Sequence, residues 1–261
     1  KFKGGATTAD FPLTPIQSLG ERSWDTYLNN TAAQGPGTNM HAGLLSAQAM
    51  LDADTEVPAE NKYLVLISDG ITYLWSETVD GASVSYGINY YEYGLNKLFA
   101  TPSVWEKKYG KGYVPADWDA YLRDVAQGLD EVMAYACVYD RSGYSSQPAI
   151  NYTTEEGNRL LTSVDVSLYK CYEVWAQMQA TGYQTYAVTI PNENYPFATP
   201  FVTNVLNRGQ AESIDKILDK VLNQIVYRVL DKGSYVTDYI GCDDAADGTG
   251  YTFRFVNDAA A

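Results

Sequence analysis

Two different spacings of apolar residues alternate along the chain. After Gly37-Thr38-Asn39, apolar positions recur every three or four residues and predict a helix with one buried stripe, formed by Leu44, Leu45, Ala47, Met50 and Leu51. Residues 63–67 are instead a short continuous apolar run, which is typical of a parallel strand covered on both faces. Because this run ends at Ser68-Asp69-Gly70, we expect the Asp69 carboxylate at the carboxyl edge of a sheet, where open α/β folds bind their ligands.

The same alternation of helix and strand returns in the second half of the chain. Helical spacing over residues 161–178 ends at Gly182, an apolar strand over 183–190 is stopped by Pro191, and a further helix is predicted over 213–230. This order predicts an α/β fold with a doubly wound, mostly parallel sheet. The last residues, 234–261, alternate like antiparallel strands and predict the start of an adjoining β module.

A long stretch between the two halves has a different character. Residues 72–164 are too many for a connection between a strand and a helix, and they contain 12 of the 23 tyrosines. Helical spacing over residues 118–133 indicates that the stretch has a helix of its own. We therefore interpret 1–71 as the first part of an α/β domain, 72–164 as an inserted arm subdomain, and 165–233 as the second part of the domain.

Composition narrows the possible partners. The chain has 261 residues and a formal net charge of −14, so a nucleic acid or an anionic membrane surface is disfavoured as a partner. No apolar run approaches the roughly twenty residues needed to span a bilayer. Since the chain begins at Lys1, we expect a processed or excised piece of a longer polypeptide. The three cysteines allow one disulfide, with Cys137 to Cys171 as the favoured pair, or three buried thiols.

Thr38 and Asp69 are the strongest candidates for metal-binding residues. A hydroxyl before a helix and a carboxylate at the end of a strand are hard oxygen ligands, which Mg²⁺ prefers. The alternative is structural, with Thr38 or Asn39 capping the helix and Asp69 taking no part in binding.

These fragments, in this order, resemble the von Willebrand factor type A domain of Gram-positive pilus tip adhesins. The resemblance rests on Gly37-Thr38-Asn39, on Leu64-Val65-Leu66-Ile67-Ser68-Asp69-Gly70, on the long insert and on Val236-Thr237-Asp238-Tyr239-Ile240-Gly241. It implies a secreted protein of the cell wall or pilus whose partners are host extracellular-matrix or cell-surface proteins and other pilus subunits. It also implies a metal-ion-dependent adhesion site with Thr38 and Asp69 as ligands. The family's first metal loop, Asp-x-Ser-x-Ser, does not occur in this sequence. Bound Mg²⁺, or Mn²⁺ or Ca²⁺ in its place, is therefore expected only if that motif lies upstream.

Several residues near the metal loop have two interpretations. We interpret the inserted arm as the surface that contacts the host ligand, through Trp75, Tyr90, Tyr91 and Tyr93. Alternatively, Trp75 is a core residue and the tyrosines are a packed decoration. His41 could be a general base, but an exposed neutral side chain is the favoured interpretation. Because phosphate-binding, nucleophile-elbow and dinucleotide-binding motifs are not found, we expect no enzyme. The alternative to an adhesin is a structural, metal-independent A domain of a pilus or surface fibre.

Overall fold

The computed structural model describes residues 38–92, 95–97, 102–139, 149–207, 215–217, 219 and 223. The α-helices in chain order are α1 (Met40–Ala53), α2 (Val104–Tyr109), α3 (Trp118–Met133), α4 (Ser163–Thr181) and α5 (Ala198–Phe201). The strands are β1 (Tyr63–Ser68), β2 (Trp75–Val79), β3 (Ala82–Ile88), β4 (Tyr90–Glu92), β5 (Leu95–Lys97), β6 (Ala136–Val138), β7 (Ile150–Asn151) and β8 (Gln184–Thr189). Short 3₁₀ turns span Ala59–Asn61 and Gly157–Arg159, and a π-helical turn, Val202–Leu206, follows α5.

The predicted helix after Asn39 and the predicted strand over residues 63–67 are confirmed. Asn39 is the N-cap of α1, and its Oδ1 accepts the N–H of Ala42 at 2.9 Å. Strand β1 pairs in parallel with β8, in a register that runs from Tyr63 opposite Gln184 to Ser68 opposite Thr189. The chain is therefore a mixed α/β protein, and the first and last strands of its described part lie side by side.

Apolar side chains pack on both faces of this strand pair, although Ile67 near the end of β1 is 46% exposed. Leu66 belongs to the main core, together with buried residues of α1 and α4. Tyr63 and Val65, which point to the opposite face, pack against a second cluster of Tyr186, Val188 and Ile217. Packing on both faces accounts for the apolar residues at 63–66, because neither side of this part of β1 needs polar residues for solvent.

The insert is built from short strands as well as helices, and its strands pair antiparallel except for β4 and β7, which are parallel. Strands β2, β3 and β6 form one sheet and β5, β4 and β7 a second. Asp80 and Gly81 turn the β2–β3 hairpin with φ values of 51° and 79°. An Asp-Gly pair is favoured there because a two-residue hairpin turn needs left-handed backbone.

The described part of the insert shares its core with the α/β part of the chain. Tyr121, Val125 and Val132 of α3 lie in the same core cluster as Val166, Leu168 and Met178 of α4. The chain divides instead into one compact unit of Lys1–Val221 and a second of Leu222–Ala261. The predicted β module of 234–261 and most of the predicted helix over 213–230 lie outside the described residues; positions 215–217, 219 and 223 are helical.

The favoured cysteine pairing is wrong in this structure. Cys137 and Cys171 are both free thiols. They are buried in two different clusters, Cys137 beside Leu74 and Cys171 in the main core, and Cys242 lies outside the described residues. In the part of the chain that the structure describes, no helix is long and apolar enough to cross a membrane.

Candidate functional site

Thr38 and Asp69 meet at one loop, although they are far apart in the sequence. This loop, Asp69–Leu74, joins β1 to β2 and is called the site loop below. The Thr38 carbonyl accepts the N–H of Tyr73 at 3.3 Å and that of Leu74 at 3.2 Å. In return, the hydroxyl of Thr72 accepts the N–H of Met40 at 3.2 Å. The start of α1 is therefore fixed against the loop that begins with Asp69, at the carboxyl end of β1.

The Asp69 carboxylate is held from two sides and remains partly exposed. Its Oδ1 accepts the N–H of Ile71 at 3.2 Å, and its Oδ2 accepts the side-chain amide of Asn192 at 2.9 Å. The Asp69 carbonyl accepts the hydroxyl of Thr199 at 2.8 Å. Since a carboxylate oxygen has two lone-pair positions, each oxygen keeps one position for a further partner.

Thr38 is half-buried and its side chain is already oriented. The hydroxyl of Thr38 hydrogen-bonds with the Tyr73 phenol, which partly offsets the effect of burial in raising the pKa of that phenol. The neighbouring Asn39 is fully buried, and its amide donates to Ser76 Oγ at 2.9 Å and to Ser85 Oγ at 3.1 Å. These bonds attach the loop before α1 to the first hairpin of the insert.

Gly70 allows the site loop to approach the segment after β8. Its φ of +87° is left-handed, and a Cβ at this position would clash with the backbone carbonyl of Ala198. A glycine is therefore required here by both conformation and space. The close approach also explains how Thr199 reaches the Asp69 carbonyl.

His41 is neutral but not exposed, so the expectation of an exposed side chain is wrong. Only 6% of its surface is accessible, and its Nδ1 accepts the N–H of Ser76 at 3.1 Å. Burial, with a smaller contribution from the charge of Lys170, lowers the pKa of His41 to about 4. Its Nδ1 lone pair is occupied by a backbone donor, so this nitrogen is a structural acceptor.

Of the four aromatic residues expected to contact a ligand, two are buried and the side chains of the other two lie outside the described residues. Trp75 is 0% exposed, and its indole N–H donates to Glu77 at 3.2 Å. Tyr90 is also fully buried and makes an edge contact with the ring of Tyr152. Both rings are core side chains here. Tyr91 belongs to β4, but its side chain lies outside the described residues, as does all of Tyr93.

The oxygen donors at the site loop are of the chemical types that a hard cation binds. Within the described ranges, no three side chains of His, Cys, Asp and Glu gather in a way that could hold a metal. Thr38 and Asp69 offer a hydroxyl and a carboxylate, which are the donors that Mg²⁺ accepts while it keeps several waters. The donor types of the two residues therefore suit part of an octahedral shell.

Asn192 and Thr199 are parts of the site that were not predicted from the sequence. Both follow β8, the parallel neighbour of β1, so their segment starts at the same edge of the sheet as Asp69. The end of the predicted strand at Pro191 was a usable signal, because ligands of open α/β sheets gather beyond the carboxyl ends of the strands.

Comparison with known proteins identifies no relative of this chain. No family model, curated protein or solved structure matches the chain. The interpretation of the site therefore depends on its own geometry and chemistry.

Proposed function

We propose that this chain is a von Willebrand factor type A domain of a secreted bacterial surface or pilus-tip adhesin, with a doubly wound sheet. In this proposal Thr38 and Asp69, together with the family's Asp-x-Ser-x-Ser motif where it lies upstream, hold a magnesium ion, and a carboxylate of a host matrix or cell-surface protein takes an open position of the shell. One observation supports it above the others: the start of α1 and the Asp69 carboxylate share one loop at the carboxyl end of a parallel strand.

The chain's own groups have distinct roles in this proposal. Asp69 supplies negative charge, and Asn192 fixes the direction of its carboxylate by donating to Oδ2. Thr38 supplies a neutral oxygen, which leaves more positive charge for the partner than a second carboxylate would. When bound, the cation would supply the attraction for an anionic group of the partner. Such a partner gains affinity from the cation despite the net charge of −14.

The experiment compares Thr38→Val, Asp69→Asn and Asn192→Ala in the full-length protein. We expect Asp69→Asn and Thr38→Val to abolish Mg²⁺ binding in calorimetry and Mg²⁺-dependent adhesion to immobilised extracellular-matrix proteins. Because Asn192 only orients a ligand, its variant should weaken Mg²⁺ binding by about 10- to 100-fold. Asp130→Asn, on the exposed face of α3, is the matched control and should change neither.

A structural, metal-independent A domain of a pilus or fibre is the second candidate. It is favoured by the two hydrogen bonds to the Asp69 carboxylate, which already stabilise the site loop without a cation. Under this alternative, Asp69→Asn lowers the melting temperature but leaves adhesion unchanged in Mg²⁺ and in chelator. That result would replace the adhesin proposal.

A further inference from the structure

A cavity of about 330 Å³ opens beside the site loop, between the insert and the segment that follows β8. It is called the Ile71 cavity here, and the residues that matter for its chemistry are Ile71, Glu106, Lys111, Pro196, Phe197 and Ala198. Its volume is at the lower end of the range for small-ligand sites, which suits one long side chain.

The Ile71 cavity is lined by two segments that also contact Asp69. Ile71 lines the cavity, and its N–H donates to Asp69 Oδ1 at 3.2 Å. Asn194 also lines it, and its N–H donates to Asn192 Oδ1 at 3.1 Å, while the Asn192 amide bonds the other Asp69 oxygen. The same two segments therefore shape the cavity and orient the carboxylate, so a partner bound at Asp69 lies next to the cavity.

The wall of the cavity is largely apolar and contains one carboxylate. Phe197 and Ala198 are buried, and Ile71 and Pro196 are half-buried. Glu106 is 7% exposed; its Oε1 accepts the N–H of Gly112 at 3.0 Å, and its Oε2 accepts the N–H of Ser103 at 3.3 Å. Each oxygen keeps a second acceptor position.

A buried carboxylate in such surroundings gains most from a cation. Burial is the largest influence on the pKa of Glu106 and raises it, against the backbone donors and the charge of Lys111. A positive group inside the cavity would offset the desolvation of the ionised carboxylate. Long basic side chains suit the rest of the wall, because their methylene stems pack on apolar surface while the charged end reaches a polar partner.

We propose that the Ile71 cavity receives a lysine or arginine side chain of the partner protein, with its stem against Pro196 and Phe197 and its cation at Glu106. This rests on the proposed function, since the same partner presents its carboxylate at Thr38 and Asp69. The partner is thus a protein segment with an acidic and a basic residue close together. The net charge of −14 on the chain favours such a basic group over a neutral one.

Lys111 places a positive charge at the cavity, next to Glu106. Its exposed side chain lines the cavity, and its charge acts on Glu106. The incoming cation must therefore bind next to a like charge. Removal of the lysine charge should strengthen the binding of a basic side chain, whereas a merely apolar guest would not be affected.

The test is a titration followed by amide chemical shifts in nuclear magnetic resonance, without Mg²⁺. The probes are N-acetyl-arginine amide and its uncharged counterpart N-acetyl-norleucine amide. We expect the arginine probe to shift the amides of Ile71, Gly112 and Ala198 saturably, and to bind at least about tenfold more tightly than the norleucine probe, a difference of about 1.4 kcal/mol. Glu106→Gln should remove this preference, and Lys111→Gln should increase it.

The controls separate this proposal from that of the metal site. Neither probe has a carboxylate and no Mg²⁺ is present, so failure of the Thr38 and Asp69 variants to affect adhesion would not alter this titration. Glu131→Gln, an exposed change on α3, should leave the preference as it is. Equal affinity for the two probes in the unaltered chain overturns the proposal, and so does unchanged affinity in Lys111→Gln. The second variant keeps the test valid if Glu106→Gln disturbs the cap of α2.

Discussion

His41 shows how a buried polar side chain is retained in this protein. It lies in the first turn of α1, where the partial positive charge of the helix opposes protonation. The backbone N–H of Ser76 in the insert donates to it, so the neutral ring satisfies a strand group that would otherwise lack an acceptor. Protonation would place a charge next to this donor and in an apolar environment.

We predict that His41 makes the protein less stable at mildly acid pH. The pKa of His41 is about 4 in the folded state and 6.5 as its ordinary value, so between these pH values the unfolded chain binds a proton that the folded chain does not. The stability that neutral His41 contributes is therefore fully present above pH 6.5. As the pH falls towards 4, the free energy of unfolding decreases by about 3 kcal/mol in total because of this group.

Chemical denaturation at pH 7.5 and at pH 5 measures this difference. His41→Asn keeps an acceptor near the Nδ1 position but does not titrate, so its free energy of unfolding should decrease less between the two pH values than that of the unaltered chain. An identical decrease in both proteins would contradict the assignment to His41, because other groups would then be responsible.

At the scale of elements, the first turn of α4 joins the insert to the site loop. The hydroxyl of Ser163 donates to the Tyr73 carbonyl at 2.6 Å and accepts the N–H of Ile88 at 3.0 Å. The fully buried Asp165 accepts the N–H of Val104 at 2.8 Å and the hydroxyl of Tyr121 at 2.8 Å, and it also closes the capping box of α4. A single helix end therefore holds β3, α2, α3 and the site loop.

Asp165→Ala should lower the free energy of unfolding by about 3 kcal/mol, because it leaves several buried donors without their charged acceptor. Asp130→Ala, an exposed aspartate on α3, should change it by no more than about 0.5 kcal/mol. Equilibrium denaturation in urea measures both variants. A small effect of Asp165→Ala would show that the helix end does not hold these elements together.

At the scale of the molecule, the insert contributes to the core of the first compact unit instead of extending from it. Val125 of α3 and Met178 of α4 belong to one cluster, as do Phe197 and Phe201, whose rings contact Trp118. A shared core implies that the insert and the α/β part open together.

We predict that Val125→Ala weakens the protection of both α3 and α4 against hydrogen exchange. The free energy of opening should decrease by about 2 kcal/mol in each helix. Mass spectrometry of peptides from the two helices measures this. Val114→Ala, at an exposed position of the insert, should leave both unchanged. Loss of protection in α3 alone would mean that the insert is an independent subdomain, as the sequence first indicated.

The sequence was sufficient to predict the helices and strands that are indicated by patterns of neighbouring residues. Helical spacing and capping residues placed α1, α3 and α4, and Gly182, with its φ of 103°, ended α4 as predicted. The apolar runs of β1 and β8 were identified for the same reason, since each is a feature of consecutive residues. The short strands of the insert were missed, although the Asp80-Gly81 turn was a usable signal.

The sequence by itself therefore determined the α/β class and the two residues, Thr38 and Asp69, that define the candidate site. Only the tertiary structure decided what surrounds them: Asn192 on the carboxylate, Glu106 in a cavity beside it, and Trp75 and Tyr90 inside the core. The physical reason is that spacing and capping act within a few residues, whereas burial and hydrogen bonding depend on segments that meet only after the chain has folded.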